Sequence, residues 1–352
     1  MKLELKGINY DIGTFWSEGQ SSRPNLDESI IKQEMAVIAK KLHCNAVRIS
    51  GQDIDLLNLA AGYAIENGLK VWLSPALINA TEEEIVPYLT KCAQKAAALL
   101  SKGDVTFVVG CEWTIFLHGL LPGTNLQERV KKMASPFVMP MMVIRAILRS
   151  FKGKDPRLEV VQLNHLLGQV VDAVRAEFPG KVTYAAGEWE EIDWQPFDIV
   201  SIDYYRTKES RITYGNKLAV YKNYDKPVVV TEFGCCTFKG ADKKGGSGWQ
   251  LVNWHNGKAT LKEGLIRSEQ VQSEYLKEQL DIFEEQKITG AFVYTFINPT
   301  YLYSSNPRID LDMASYGIVK PVVAEGQHLG AVSWQPKAAF TVLADCYRNH
   351  SQ

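Results

Sequence analysis

Eight short runs rich in β-branched and aromatic residues recur along this 352-residue chain, at about 4–10, 45–50, 69–74, 105–111, 181–186, 198–204, 227–232 and 290–296. Stretches of helical period separate most of them. Ile30, Ile31, Met35, Ile38 and Leu42 follow the first run, and Leu56, Leu57, Leu59, Ala60 and Ala64 follow the second. Val271, Tyr275, Leu276, Leu280 and Phe283 form one stripe behind Ser268, a candidate N-cap, between the last two runs. Strands that alternate with helices pair in parallel, because a parallel neighbour is reached only by a long crossover. Eight such units are the number that closes a (β/α)8 TIM barrel, which takes about 250 residues plus insertions. Residues 1–352 therefore read as one barrel domain, with an inserted helical segment after strand 4 at about 118–156 and extended loops after strands 7 and 8.

Charge narrows the partners. Lys and Arg number 39 against 40 Asp and Glu, a net charge of −1, so the chain lacks the basic footprint that nucleic acid or an anionic membrane requires. The opening Met-Lys-Leu-Glu-Leu-Lys-Gly-Ile-Asn-Tyr alternates charge with apolarity and reads as a strand instead of a secretory signal. The most apolar window, 133–148, holds two prolines and an arginine and falls short of the about 20 residues a membrane span needs. It reads as a lid, as a homodimer contact, or as a helix packed flat on the barrel. Six cysteines, at 44, 92, 111, 235, 236 and 346, have no metal-type spacing and suit a reducing cytoplasm.

In a barrel of this kind polar residues at the carboxyl ends of strands point into the working cavity. That rule selects Asn9, Asp11, Arg48, Ser50, Glu112, Glu188, Asp203, Tyr204, Tyr205, Arg206, Glu232 and Asn298. Glu112 closes Val-Thr-Phe-Val-Val-Gly-Cys-Glu and Glu232 closes Pro-Val-Val-Val-Thr-Glu. Two carboxylates on separate strands can divide proton donation and nucleophilic attack, as cleavage of a glycosidic bond demands. Trp113 and Phe233 would supply apolar walls that hold a carboxylic acid protonated. A single strand-end glutamate equally suits a salt bridge, and it is the pair on strands four and seven that favours chemistry. Arg48 could hold a neighbouring carboxylate ionised or serve a rim ion pair. Tyr204 or Tyr205 could donate to the nucleophile or pack in the core.

Tryptophans 16, 113, 189, 194, 249 and 254 fall just beyond strand ends, where they could stack on a sugar or plug the barrel mouth. The six histidines show neither an H-x-H nor an H-E-x-x-H spacing, so no metal site is expected, and no cofactor. No strand ends in the lysine a Schiff base would need. Cys235 and Cys236 read as small core residues. Lys243 to Gly248, after strand seven, reads as a solvated loop, with a phosphosugar site using Lys243 and Lys244 as a weaker alternative.

These motifs resemble the clan of retaining glycoside hydrolases built on a barrel with catalytic glutamates at strands four and seven. The segments that carry the resemblance are 6–10, Asn-Ala-Val-Arg-Ile at 45–49, Gly-Cys-Glu-Trp at 110–113, Asp-Ile-Val-Ser-Ile-Asp-Tyr-Tyr at 198–205, Thr-Glu-Phe-Gly at 231–234 and 334–340. The resemblance implies Glu112 as general acid/base, Glu232 as nucleophile, Arg48 beneath it and Tyr204 or Tyr205 bonded to it. The family usually has Asn before the strand-four glutamate, a contact to the substrate 2-hydroxyl, whereas this chain has Cys111. Tyr294 and Phe296 stand where the family commonly has a tryptophan floor. The opening segment is similar to glycosidase-like bacterial proteins that carry an "abortive infection" label. The expectation is a cytoplasmic retaining glycoside hydrolase acting on a β-linked glycoside or oligosaccharide, lined by Asn9, Asp11, Trp16, Cys111, Trp113, Glu188, Trp189, Asp203, Trp249, Tyr294 and Asn298. The alternative is a carbohydrate-binding or phage-defence-related barrel without turnover.

Overall fold

The computed structural model describes residues 2–17, 20–133, 158–255, 258–323 and 332–349, the side chains of 16, 17, 20, 158, 159, 332 and 349 excepted. Eight strands, β1 (Leu5–Asp11), β2 (Ala46–Gly51), β3 (Lys70–Pro75), β4 (Val105–Cys111), β5 (Lys181–Gly187), β6 (Val200–Asp203), β7 (Val228–Phe233) and β8 (Gly290–Val293), pair in parallel. They close into a barrel in sequence order. The helices that pack outside it are α1 (Glu28–Lys40), α2 (Ile54–Glu66), α3 (Glu82–Ala97), α4 (Leu158–Glu177), α5 (Arg211–Lys217), α6 (Glu269–Glu285) and α7 (Ala338–Asn349). The chain is thus a (β/α)8 TIM barrel. Residues 188–199 cross from β5 to β6 without a helix, sealed by the buried Trp194 and Phe197.

Local chemistry starts the helices where the pattern places them. Asp27 caps α1 by accepting from the Ile30 amide at 2.9 Å, and Ile31, Met35 and Ile38 form its buried stripe. Ser268 caps α6 through the Val271 amide, at 3.4 Å. After β4 a one-turn helix, Trp113–Phe116, and a second, Leu126–Met133, begin the expected insertion. Its remainder, and with it the lid or dimer reading of 133–148, lies outside the described residues beyond Met133. Among the described residues no helix is long and apolar enough to cross a membrane.

Strand alternation builds two layers. Val47, Ile49, Val71, Leu73, Phe107, Val109, Val182 and Val230 face the helices, while Ala46, Trp72, Val108, Ala185, Val229 and Phe292 fill the barrel interior. Trp72 and Phe292 meet inside it with ring centroids 4.9 Å apart. Above this apolar plug the inward positions turn polar: Asn9, Arg48, Ser74, Asp203 and Thr231 are all buried there. The stretch after β8 is tied down by Arg267, which pairs with Asp310 and Asp312, and by Lys337, which pairs with Asp312 in full burial.

Candidate active site

Both glutamate strands break their alternation just before the glutamate. In β4, Val108 aligns with Thr183 but Cys111 aligns with Ala185, so three residues span what two span in β5. In β7, Val230 aligns with Ile202 and Glu232 with Asp203, two residues against one. An extra residue of this kind bends a strand and re-aims the side chains beyond it. Cys111 and Glu232 consequently share the cavity with Asp203 instead of alternating away from it. Gly110 makes the β4 irregularity possible, since a Cβ there would lie 2.2 Å from the Trp113 indole.

Glu232 is held from two sides. Arg48 Nη1 donates to Oε1 at 2.7 Å and Tyr205 OH donates to Oε2 at 2.9 Å. Arg48 is itself fixed by Asn9 Oδ1 at 3.2 Å and Ser74 Oγ at 3.3 Å. Asn9 in turn donates to the Thr231 carbonyl at 2.9 Å. Burial and the Glu232 charge hold the Tyr205 phenol well above its usual range, so it remains a donor. The Glu232 carboxyl thus takes a guanidinium and a phenol as donors while its side chain remains 14% exposed.

Glu112 is held differently. It occupies the left-handed region, φ 43° and ψ 46°, as the residue that leads into the Trp113–Phe116 turn. Its amide donates to the Ala185 carbonyl at 3.0 Å. Glu190 anchors the turn: it accepts from Thr114 N and Oγ1 at 3.0 and 2.8 Å, from Tyr184 OH at 2.9 Å and from Gly187 N at 3.0 Å. Tyr184 OH also accepts from Trp113 N at 2.7 Å, and Trp189 Nε1 donates to Thr114 Oγ1 at 2.9 Å. The half-buried Glu112 carboxyl forms no hydrogen bond among the described residues. Burial, then the charges of Asp203, Glu232 and Glu190, push it well above the usual carboxylate range.

Cys111 lies between two acids, its thiol 3.3 Å from Asp203 Oδ2 and 3.7 Å from Glu232 Oε1. Burial and the Asp203 charge raise this thiol well above its ordinary value, so it acts as a weak donor. Cys111, Asp203 and Glu232 bring three potential ligand atoms within 4.8 Å of one another. The Arg48 guanidinium, 2.7 Å from Glu232 and 3.8 Å from Asp203, already supplies the cation there, so this donor set does not fit a metal.

Of the residues singled out from sequence, Asn9, Arg48, Cys111, Asp203, Tyr205 and Glu232 are joined by direct contacts, with Glu112 coupled to them electrostatically. Tyr294 is half-buried and meets Tyr316 edge-on at 5.8 Å, as Tyr205 does. Tyr204 must be corrected to a core residue: its hydroxyl donates to the Tyr214 carbonyl at 2.9 Å and its ring stacks on Tyr214. Trp113 is likewise core, packed on Gly110 and against Tyr184. Asp11 accepts from Gly13 N and Thr14 Oγ1, and Asn298 accepts from Thr300 Oγ1 in its own turn. Glu188 and Trp249 are exposed, and the Trp16 side chain lies outside the described residues.

Lys243 to Gly248 is not a loose loop. Tyr316 OH donates to the Gly245 carbonyl at 2.8 Å and accepts from Gly248 N at 3.0 Å, while Lys243 and Lys244 stay exposed. Sequence reasoning passed over Glu190, Tyr184, Tyr316 and Ser74. Only Glu190 carried a signal, as the second acid of Gly-Glu-Trp-Glu after β5.

No protein-family model and no curated protein sequence matches the chain. Solved structures do. A GH113 β-1,4-mannanase is similar over 99% of both chains with a TM-score of 0.60 and 16% identity. A hyperthermophilic β-glucosidase mutant is similar over 98% of this chain and 99% of its own, with a TM-score of 0.57 and 11% identity. Cel5A of Thermotoga maritima, in complex with mannotriose, covers 88% of this chain and 97% of its own, with a TM-score of 0.50 and 12% identity. At such identities the likeness establishes a shared (β/α)8 barrel fold.

Proposed function

We propose that the chain, acting as one barrel domain, is a retaining glycoside hydrolase that cleaves a β-linked glycoside or oligosaccharide by double displacement. Glu232 attacks the anomeric carbon as the anion held by Arg48 and Tyr205. Glu112 protonates the departing oxygen, and the glycosyl ester on Glu232 is then hydrolysed by a water that Glu112 deprotonates. The observation that carries this reading is the unequal treatment of two glutamates, one given two strong donors and the other none among the described residues. The mechanism needs no cofactor. It requires a carboxyl separation of about 5 Å, against about 8 Å for inversion.

Release of nitrophenol from a panel of aryl β-glycosides tests the proposal: wild type turns over at least one, and Glu232→Ala does not. A second reading, a carbohydrate-binding or phage-defence-related barrel without turnover, is favoured by one feature. Cys111 is bonded to Asp203 where an amide would otherwise meet substrate. Saturable sugar binding with no nitrophenol release from any glycoside of the panel would select it.

A further inference from the structure

Three carboxyl groups, Glu112, Asp203 and Glu232, lie near one guanidinium among the described residues, that of Arg48, and the donors are divided unevenly among them. Glu232 takes Arg48 at 2.7 Å and Tyr205 at 2.9 Å. Asp203 has a fully buried side chain, 3.8 Å from Arg48 Nη1 and beyond hydrogen-bond reach of it. Its Oδ2 receives one thiol, Cys111 at 3.3 Å, and its Oδ1 has no hydrogen-bond partner among the described residues. The neighbouring Thr231 hydroxyl, on the strand paired with β6, is also buried without a well-formed hydrogen bond among the described residues, yet it lies near enough to Asp203 to favour its anion. An ionised carboxylate out of water needs two or three good donors, and among the described residues this one has a thiol, a poorly aligned hydroxyl and a guanidinium too distant for a hydrogen bond. A neutral acid needs less: its own O–H becomes a donor, and the same Thr231 hydroxyl can then turn to accept from it.

We propose that Asp203 is the proton-holding positioning residue of this site, seated behind Glu232 as a neutral carboxylic acid so that Glu232 alone is the anion that Arg48 holds. The inference rests on the hydrolase reading only for its catalytic consequence. The groups around Asp203 pull in both directions: Arg48 on β2, Cys111 on β4 and Thr231 on β7 favour its anion, but Arg48 makes its close contact with Glu232, and burial together with the Glu232 charge outweighs all three, while Tyr205 after β6 stays a phenol and Glu112 beyond Cys111 is a second acid with a raised value. Burial, with the Glu232 charge second, pushes the Asp203 carboxyl up to about 8. Ionising it would set a second anion against the same arginine and slacken the hold on Glu232.

The test is read first without substrate. The infrared carbonyl stretch of a neutral carboxylic acid, taken as wild type minus Asp203→Asn at pH 6, should show one band, and that band should bleach in wild type as pH rises from 7 to 9. A flat difference spectrum at pH 6 would overturn the proposal. Should Asp203→Asn fail to fold, carbonyl-labelled aspartate in Asp11→Asn protein replaces it: an acid band that shifts on labelling and bleaches near pH 8 supports the proposal, and an unshifted band refutes it. If aryl glycosides are turned over, Asn is a neutral replacement for a neutral acid, so the acid limb of the pH–rate profile should stay within about 0.3 units of wild type. A fall of that limb by a unit or more would mean that an anion had been removed, and would refute it. The infrared result stands whether or not any glycoside is cleaved, so failure of the hydrolase reading is told apart from failure of this one.

Discussion

The ends of β4 and β7 carry the same residue type into the same cavity and treat it in opposite ways. At β7 the glutamate stays on the strand and receives a guanidinium and a phenol. At β4 it leaves the strand in a left-handed turn with no donor for its carboxyl among the described residues, and the surrounding hydrogen bonds go to the turn itself through Glu190. Environment, not residue identity, separates the two carboxyls, and the proposed division into acid and anion rests on that difference. The same contrast separates adjacent tyrosines, since Tyr205 serves Glu232 while Tyr204 bonds a backbone carbonyl in the core.

The largest effect that could break this contrast is exchange of the two acids' fates. Glu232→Ala should abolish turnover of every aryl glycoside. Glu112→Gln should lose roughly 10²–10⁴-fold in kcat/KM on substrates with poor leaving groups and far less on nitrophenyl ones, which need little protonation. Equal losses on both substrate classes would remove Glu112 from the acid role. Next in size is the tyrosine pair. Removing a hydrogen bond to a charged group costs about 1.5–3 kcal/mol, so Tyr205→Phe should slow turnover about 10–100-fold. Tyr204→Phe should leave kcat/KM in place and lower stability by about 1 kcal/mol in urea unfolding. The reverse pattern would show that the two hydroxyls have exchanged partners.

All eight barrel strands were legible in the sequence, because a parallel strand buried on both faces, such as Val-Val-Val at 228–230, stands out from the polar faces of its flanking helices. So were the two glutamates and Arg48, since a charged residue at the end of an apolar run has few places to go. The irregularities at Gly110 and Thr231 were not legible, because an extra residue in a ladder appears only against the neighbouring strand's register. For the same reason Tyr204 and Tyr205 could not be told apart, as one residue of register exchanges core for cavity. Glu190 carried only its place in Gly-Glu-Trp-Glu, because its partners lie far apart in sequence, at Thr114 in the turn after β4 and at Tyr184 and Gly187 on β5.

Smaller effects sharpen the picture. Gly110→Ala would drive a methyl into the Trp113 indole, and thermal melting should show a loss of about 1–3 kcal/mol together with reduced activity, because the turn that carries Glu112 must shift. The acids give a pH signature. Asp203, Glu112 and Glu190 all hold their protons more tightly in the folded chain than unfolded carboxyls do. The folded state therefore binds more protons between about pH 4 and the raised value near 8 of Asp203, and these groups contribute stability at low pH that is lost as pH rises through that window. Melting temperature measured from pH 5 to 8 should fall less steeply for Asp203→Asn than for wild type. Parallel slopes would contradict the assignment.

The most direct test of the division between the two glutamates is covalent trapping with a 2-fluoro β-glycoside carrying a good leaving group, followed by peptide mapping. The label should sit on Glu232, in the peptide that contains Thr-Glu-Phe-Gly. A label on Glu112, or an unlabelled enzyme that releases the inverted sugar, would contradict it.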